Sequence, residues 1–301
     1  MLASAACASG ATTPSASAPV PPARFSAVAA EDMWGNLLRQ LGGDRVVVSS
    51  IIRNPGVDPH DYDPRPSDSV AVADARLVVV NGLGYDGWAS KLVGANPSSG
   101  RVVVDVGRVV GANGGDNPHR WYVPADVHRV VDEMTAALER VDPADTAYFA
   151  DQAARLGASL GAYDDQVARI RSAYAGTAIA ISESVFVGMA DALGLAVRTP
   201  PSFSDAISEG NEPTARDKEI VDRQIAEHQV KVFVYNAQNT TPDVRALTDA
   251  ATKAGIPVVE VTETLSPRGA TFQDWQQRQL SALEQALAAA VGPGPAGGSG
   301  R

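Results

Sequence analysis

Apolar and polar positions along the chain alternate between short β-branched runs and stretches of helical period. Met33–Leu41 has helical spacing, and Val46–Ile52 is a run rich in branched residues. Ser67–Ala75 is helical again, followed by the apolar strands Leu77–Val80 and Arg101–Val104 and the helix Ala125–Arg140. The later part repeats the style. Strand Ala178–Ile181 leads to helix Ser184–Leu193 and strand Leu195–Arg198. Helix Thr214–Glu227, strand Lys231–Tyr235, helix Pro242–Ala254, strand Pro257–Thr262 and helix Thr271–Ala290 follow. Short apolar strands alternating with helices imply parallel sheets covered on both faces.

Between the two series lies one long apolar stripe. Phe149, Ala153, Leu156, Leu160, Tyr163, Val167, Ile170 and Tyr174 step by alternating fours and threes, which places them on one helix face. Asp142-Pro143 suits its start and Gly176 its end. At ~1.5 Å per residue the helix is roughly 46 Å long. Gly157 and Gly161 inside it are expected to allow close packing, with a mild bend as the alternative. The pattern predicts an α/β protein of two lobes, each a mostly parallel sheet flanked by helices, joined by this helix. The expected divisions are a tether at 1–24, an N-terminal lobe at 25–143, the connecting helix at 144–174, a C-terminal lobe at 175–291 and a tail at 292–301. A helical connector predicts small lobe closure.

Composition narrows the function. The 301 residues are 45% hydrophobic and 20% charged, a globular balance. A net charge of −10 and few aromatics argue against nucleic acid, whose phosphates need a basic face. The single cysteine, Cys7, excludes an internal disulfide and a multi-cysteine zinc site. H-E-x-x-H, G-x-S-x-G and Walker A patterns are absent.

Residues following strands hold the remaining chemistry, because ligands of open α/β sheets bind beyond the carboxyl ends of the strands. His60 lies in Asp58-Pro59-His60-Asp61-Tyr62-Asp63-Pro64, and His119 in Asn117-Pro118-His119-Arg120-Trp121. Glu183 directly follows strand Ala178–Ile181 and Ser182; Glu263 directly follows strand Pro257–Thr262. Taken singly, these are loop histidines, an exposed carboxylate, or a helix cap with Ser182 as N-cap. Together, two imidazoles from one half and two carboxylates from the other suit Mn²⁺, Fe²⁺ or Zn²⁺. His128 and His228 are expected at the surface or in packing.

At these residues the chain resembles the metal-binding solute-binding proteins of bacterial ABC importers for manganese and zinc, the TroA-like family. The similarity extends over about 25–291. It rests on the segment around His60, on Asn81-Gly82-Leu83-Gly84-Tyr85-Asp86-Gly87-Trp88, on Asn117–Trp121, on Glu183 before Ser184-Val185-Phe186, and on Glu263. The resemblance implies a metal site of His60, His119, Glu183 and Glu263, with a divalent transition metal as cargo and no organic cofactor. The chain differs from the family pattern in carrying Asn117 in place of Asp, and Asn236-Ala237-Gln238-Asn239 after a strand where an acidic residue is frequent. Members resembling zinc importers tend to carry a third histidine and a His-rich loop; here position 183 is Glu and Gly111–Gly115 has no histidine, which favours manganese.

Ser4-Ala5-Ala6-Cys7 resembles the end of a lipoprotein signal, although six preceding residues are too few for a full signal. The resemblance therefore implies a monomer lipidated at Cys7 on the outer face of the cytoplasmic membrane, delivering metal to a membrane permease and catalysing no reaction. The competing expectations are a metal-dependent hydrolase and a metallophore-binding protein.

Overall fold

The computed structural model describes residues 24–54 and 62–292. The expected site residue His60, the lipidation residue Cys7 and the tail beyond 292 lie outside the described residues, as does all of the expected tether except Arg24.

The first half runs β1 (Phe25–Glu31), α1 (Asp32–Gly42), β2 (Val46–Ile52), α2 (Pro66–Asp74), β3 (Leu77–Val80), α3 (Gly87–Ala95), β4 (Val102–Asp105), α4 (Val106–Val110) and α5 (Pro124–Val141). After α6 (Thr146–Tyr174) the second half runs β5 (Ala178–Ile181), α7 (Val187–Leu193), β6 (Ala196–Val197), α8 (Pro201–Ser208), α9 (Ala215–Ala226), β7 (Val232–Asn236), α10 (Pro242–Lys253), β8 (Val258–Val261) and α11 (Phe272–Val291). Each half builds one four-stranded sheet with every pairing parallel, in the orders β2-β1-β3-β4 and β6-β5-β7-β8. The same winding is thus used twice. In each sheet the order reverses between the first and third strands, and a crevice opens at that switch point.

Strand composition follows burial. All four residues of β3, Leu-Val-Val-Val, are buried, as expected of a strand covered on both faces. Three helices of the second half start at threonine caps, with Thr214, Thr241 and Thr271 each accepting a backbone N–H through the side chain. Four elements escape a periodicity reading: β1, α3 and the short helices α4 and α8. The strand β1 is Phe-Ser-Ala-Val-Ala-Ala-Glu, with one β-branched residue, and α3 is diluted by Gly87 and Gly94.

The apolar stripe does form one helix. α6 buries Phe149, Leu156, Leu160, Tyr163, Ile170 and Tyr174, with a single 3₁₀ turn at Pro143–Asp145 ahead of it. Gly176 follows its end at φ +82°. The helix packs against α1 and α5 from the first half and α7 and α11 from the second. One apolar core accordingly runs from Phe25 and Trp34 through Tyr163 to Trp275. The expectation for Gly157 and Gly161 is corrected: a Cβ at either would meet no atom within 4 Å, so neither glycine serves close packing.

Polar bonds add to this junction. The Tyr122 hydroxyl shares its hydrogen between the Thr262 carbonyl at 2.7 Å and the Gln279 Oε1 at 2.8 Å, and Asn117 Nδ2 donates to the Ser184 carbonyl at 2.7 Å. These bonds run from the segment carrying His119 to the segments carrying Glu183 and Glu263.

Candidate metal centre

Glu183 stands just beyond β5, Asn236 ends β7 and Glu263 stands two residues beyond β8. Parallel register brings these strand ends together. Ile181 pairs with Val234, and Asn236 pairs with Val261. The Glu183 carboxylate is buried at 2% exposure, and Asn236 is completely buried beside it. The Asn236 amide donates to Glu183 Oε1 and, at 2.7 Å, to Glu263 Oε1. Asn239 Nδ2 donates to Glu183 Oε2 at 2.7 Å, and the Tyr85 hydroxyl donates to Glu263 Oε2 at 2.6 Å. Neutral donors therefore hold both oxygens of each carboxylate.

The expected capping role of Ser182 is not what the hydroxyl does. It accepts the Asn236 backbone N–H at 3.1 Å, which ties the ends of β5 and β7 together. Glu183 adopts extended backbone (φ −157°, ψ 175°), and its side chain makes no cap bond to the following turn. The side chain is consequently directed to the neighbouring strand ends rather than along its own helix.

His119 approaches from the first half. Its ring is 4% exposed, and Nε2 lies 3.7 Å from Glu263 Oε2. Nδ1 lies 2.8 Å from Asn117 Oδ1, which also accepts the His119 backbone N–H at 2.9 Å. With that carbonyl oxygen as its partner Nδ1 donates, which leaves Nε2 facing the carboxylate side. The imidazole is edge-on to Trp121 and Tyr85, at 5.2 Å and 5.8 Å between centroids. Asparagine at position 117 therefore does for the ring what an aspartate would do, without the charge.

Tyr85 reaches Glu263 because the preceding turn is left-handed. Gly82, Leu83 and Gly84 all have positive φ, at 72°, 58° and 84°. A Cβ at Gly82 would lie 2.6 Å from Asp105 Oδ1, so position 82 excludes larger residues twice over. The turn is held by Asp86, whose carboxylate accepts the Asn81 and Gly82 backbone N–H groups at 2.7 and 2.8 Å. A cavity of about 360 Å³ opens between the halves at His119, with Asp116 and Asn117 on one wall and Ser184, Asp205 and Glu209 on the other.

Of the four residues expected from sequence, His119 and Glu263 are adjacent, Glu263 and Glu183 are joined through one amide nitrogen, and His60 lies outside the described residues. Among the described residues, no three His, Cys, Asp or Glu side chains converge tightly enough to grip an ion. Asn236, Asn239 and Tyr85 lie in segments that the sequence singles out but are not among its expected ligands. The strand-end rule that singled out Glu183 and Glu263 applies equally to Asn236, but an amide draws no attention as a ligand. The two remaining histidines are outside the site, as expected. His128 Nε2 meets the Asp164 carboxylate at 3.0 Å, and His228 Nε2 meets the Ala254 carbonyl oxygen at 2.9 Å.

Beneath the turn sits a second acidic pair. Glu31 ends β1 with no exposure, and its carboxyl oxygens meet no donor among the described residues. The Asp86 carboxyl is its polar neighbour. Burial, followed by the Asp86 charge, pushes Glu31 well above the usual carboxylate range; burial also raises Asp86 to about 6. A protonated Glu31 can donate to Asp86 and satisfies both groups. For a folded-state value raised above the unfolded one, the stabilisation is complete below the ordinary carboxylate range and is lost as pH climbs through the raised value. Chemical denaturation across a pH series should show this decline in the wild type. It should be flatter in Glu31→Gln, whose amide supplies the donor at every pH; an unchanged slope would count against a protonated Glu31.

A family model described as zinc-uptake complex component A, periplasmic (ZnuA) matches residues 27–286. Among curated relatives, the chain is 35% identical over 114 residues to the manganese-binding lipoprotein MntA of Halalkalibacterium halodurans, covering 36% of this chain and 37% of that one. It is 30% identical over 127 residues to the iron-binding protein YfeA of Yersinia pestis, covering 40% of each. The chain thus spans about two fifths of the length of these curated relatives. In fold it is similar to the periplasmic zinc-binding protein TroA of Treponema pallidum, with TM-score 0.73 at 19% identity, covering 88% of this chain and 99% of that one. A Mn-bound periplasmic metal-binding protein of Candidatus Liberibacter asiaticus gives TM-score 0.71 at 18% identity, covering 88% of this chain and 100% of that one. With nearly all of both sheets inside the matched residues, the chain belongs to the ZnuA family.

Proposed function

We propose that this protein captures a divalent transition-metal ion between its two halves and delivers it to the permease of an ABC importer. The cargo is Mn²⁺ in preference to Zn²⁺ or Fe²⁺. The proposed ligands are His60 and His119 from the first half and Glu183 and Glu263 from the second. A lipid on Cys7 would hold the protein at the outer face of the membrane. The observation that carries this reading is the meeting of His119 with the Glu263 carboxylate, which one buried amide joins to the Glu183 carboxylate of a separate strand end.

The chemistry follows from charge. Two carboxylates close together repel, and a 2+ ion neutralises both, so capture stabilises the fold. The acidic residues Asp116, Asp205 and Glu209 on the cavity wall draw cations towards His119. An imidazole must be neutral to bind a metal, so acid releases the ion. Relatives named as metal-binding lipoproteins and periplasmic binding proteins support a transport role over an enzymatic one. Carboxylate oxygens favour Mn²⁺ more than a third imidazole would, although intrinsic affinity rises from Mn²⁺ to Zn²⁺ at any site.

The test is direct titration of the metal-free protein with Mn²⁺ and Zn²⁺ in competition, with elemental analysis of protein purified without added metal. One ion per chain, reversed by chelator, is expected. Binding of neither ion overturns the proposal, and binding only of a metal complex with an organic chelator points instead to a metallophore receptor.

A further inference from the structure

The carboxylates at the floor are fixed by a network of neutral amides. Asn236 is fully buried and lies beneath them, while the Glu263 side chain retains 15% exposure towards the cleft. Both amide hydrogens of Asn236 point at carboxylates, one at Glu183 and one at Glu263. The amide is held in that orientation from its other end. Its Oδ1 accepts the Gln238 backbone N–H at 3.0 Å, and its own backbone N–H is taken by Ser182 Oγ. Gln238 in turn braces the Glu263 segment, with Oε1 accepting the backbone N–H groups of Glu263 at 2.6 Å and Thr264 at 3.0 Å. Its Nε2 donates to Thr264 Oγ1 at 2.9 Å.

We infer that Asn236 is a positioning residue that sets metal preference, by holding the carboxylates of Glu183 and Glu263 side by side as an oxygen pair for a hard cation entering from the cleft. This rests on the proposed metal site. Two carboxylates without a shared donor would rotate apart to relieve their repulsion. A doubly donating amide offsets that repulsion without adding a charge, so the full −2 remains for the cation. A cation that depends on oxygen ligands gains most from a pair already in place; one that binds well to imidazole depends on it less. Asn236 therefore favours Mn²⁺ relative to Zn²⁺.

The experiment compares wild type, Asn236→Leu and Asn239→Ala by competitive titration with Mn²⁺ and with Zn²⁺, alongside melting of the metal-free proteins. Asn236→Leu keeps the branched outline of the side chain, with larger volume, and loses both donors. Mn²⁺ affinity should fall by about 10- to 100-fold, the usual loss when a group supporting a metal ligand is removed. Zn²⁺ affinity should fall clearly less, so the preference shifts towards Zn²⁺. Asn239→Ala removes one donor from one carboxylate and should give a smaller shift in the same direction; it also keeps the test valid if the leucine variant does not fold. Equal losses for the two metals would reduce Asn236 to a structural residue and overturn the inference, as would unchanged affinities. If the wild type binds neither metal, the site itself is refuted, which is a separate result from a wild type that binds and variants that behave like it.

Discussion

Replacing Glu183 with alanine is expected to abolish most of the thermal stabilisation that Mn²⁺ or Zn²⁺ confers. A ligand present at 100 times its dissociation constant stabilises the folded state by about 2.7 kcal/mol. A variant lacking one anionic ligand should retain only a small part of this at the same concentration. The effect is large because Glu183 is buried and bridged to Glu263 through Asn236, so its loss also leaves an amide hydrogen without an acceptor. His60→Ala should behave alike under the proposed ligand set. The control is His228→Ala, whose ring meets the Ala254 backbone carbonyl just past the end of α10 and should leave the shift intact. Scanning fluorimetry with and without metal measures all three. Wild-type-sized shifts in both Glu183→Ala and His60→Ala would refute the ligand set.

The second large effect is on stability. Trp275→Ala should cost about 3–5 kcal/mol, the range for deleting a buried large aromatic. That is a substantial part of the 5–15 kcal/mol typical of a whole domain. Trp275 has no exposure and packs against Phe272 and Tyr122 at 5.8 and 5.9 Å between ring centroids. Its indole N–H donates to Thr262 Oγ1 at 2.9 Å, next to Glu263. The ring thus links α11 to the segment that presents a proposed ligand and to the aromatic residue that follows His119 by three. Trp275→Phe should cost less, since it keeps much of the apolar volume and loses the hydrogen bond. Denaturant melts of the two variants give the comparison, and an alanine variant within about 1 kcal/mol of wild type would show that the core closes over the gap.

Much of the architecture was legible along the chain. Eight apolar positions stepping by fours and threes specify one long helix because burial on a helix has a period near 3.6, and no tertiary information is needed to see it. The strand Val46–Ile52 was readable for a similar reason, being branched and bounded. The strand Phe25–Glu31 was not, since alanine fits either element and its burial depends on neighbours. The fully buried Glu31 at its end was equally hidden, because a carboxyl enters a core only where it can stay protonated and another group can accept its hydrogen bond.

For the proposed site, sequence alone singled out His60, His119, Glu183 and Glu263 by residue type and by their place after strands. It also set the fold class, since alternation of strand and helix is a local property. Which side chains meet was decided by the parallel register of β5, β7 and β8. That register places an asparagine between two carboxylates 80 residues apart in sequence and brings Tyr85 from the other half onto one of them. Amides and phenols advertise nothing by type, so their role exists only in the assembled molecule, where the direction of each hydrogen bond is fixed by what holds its other end.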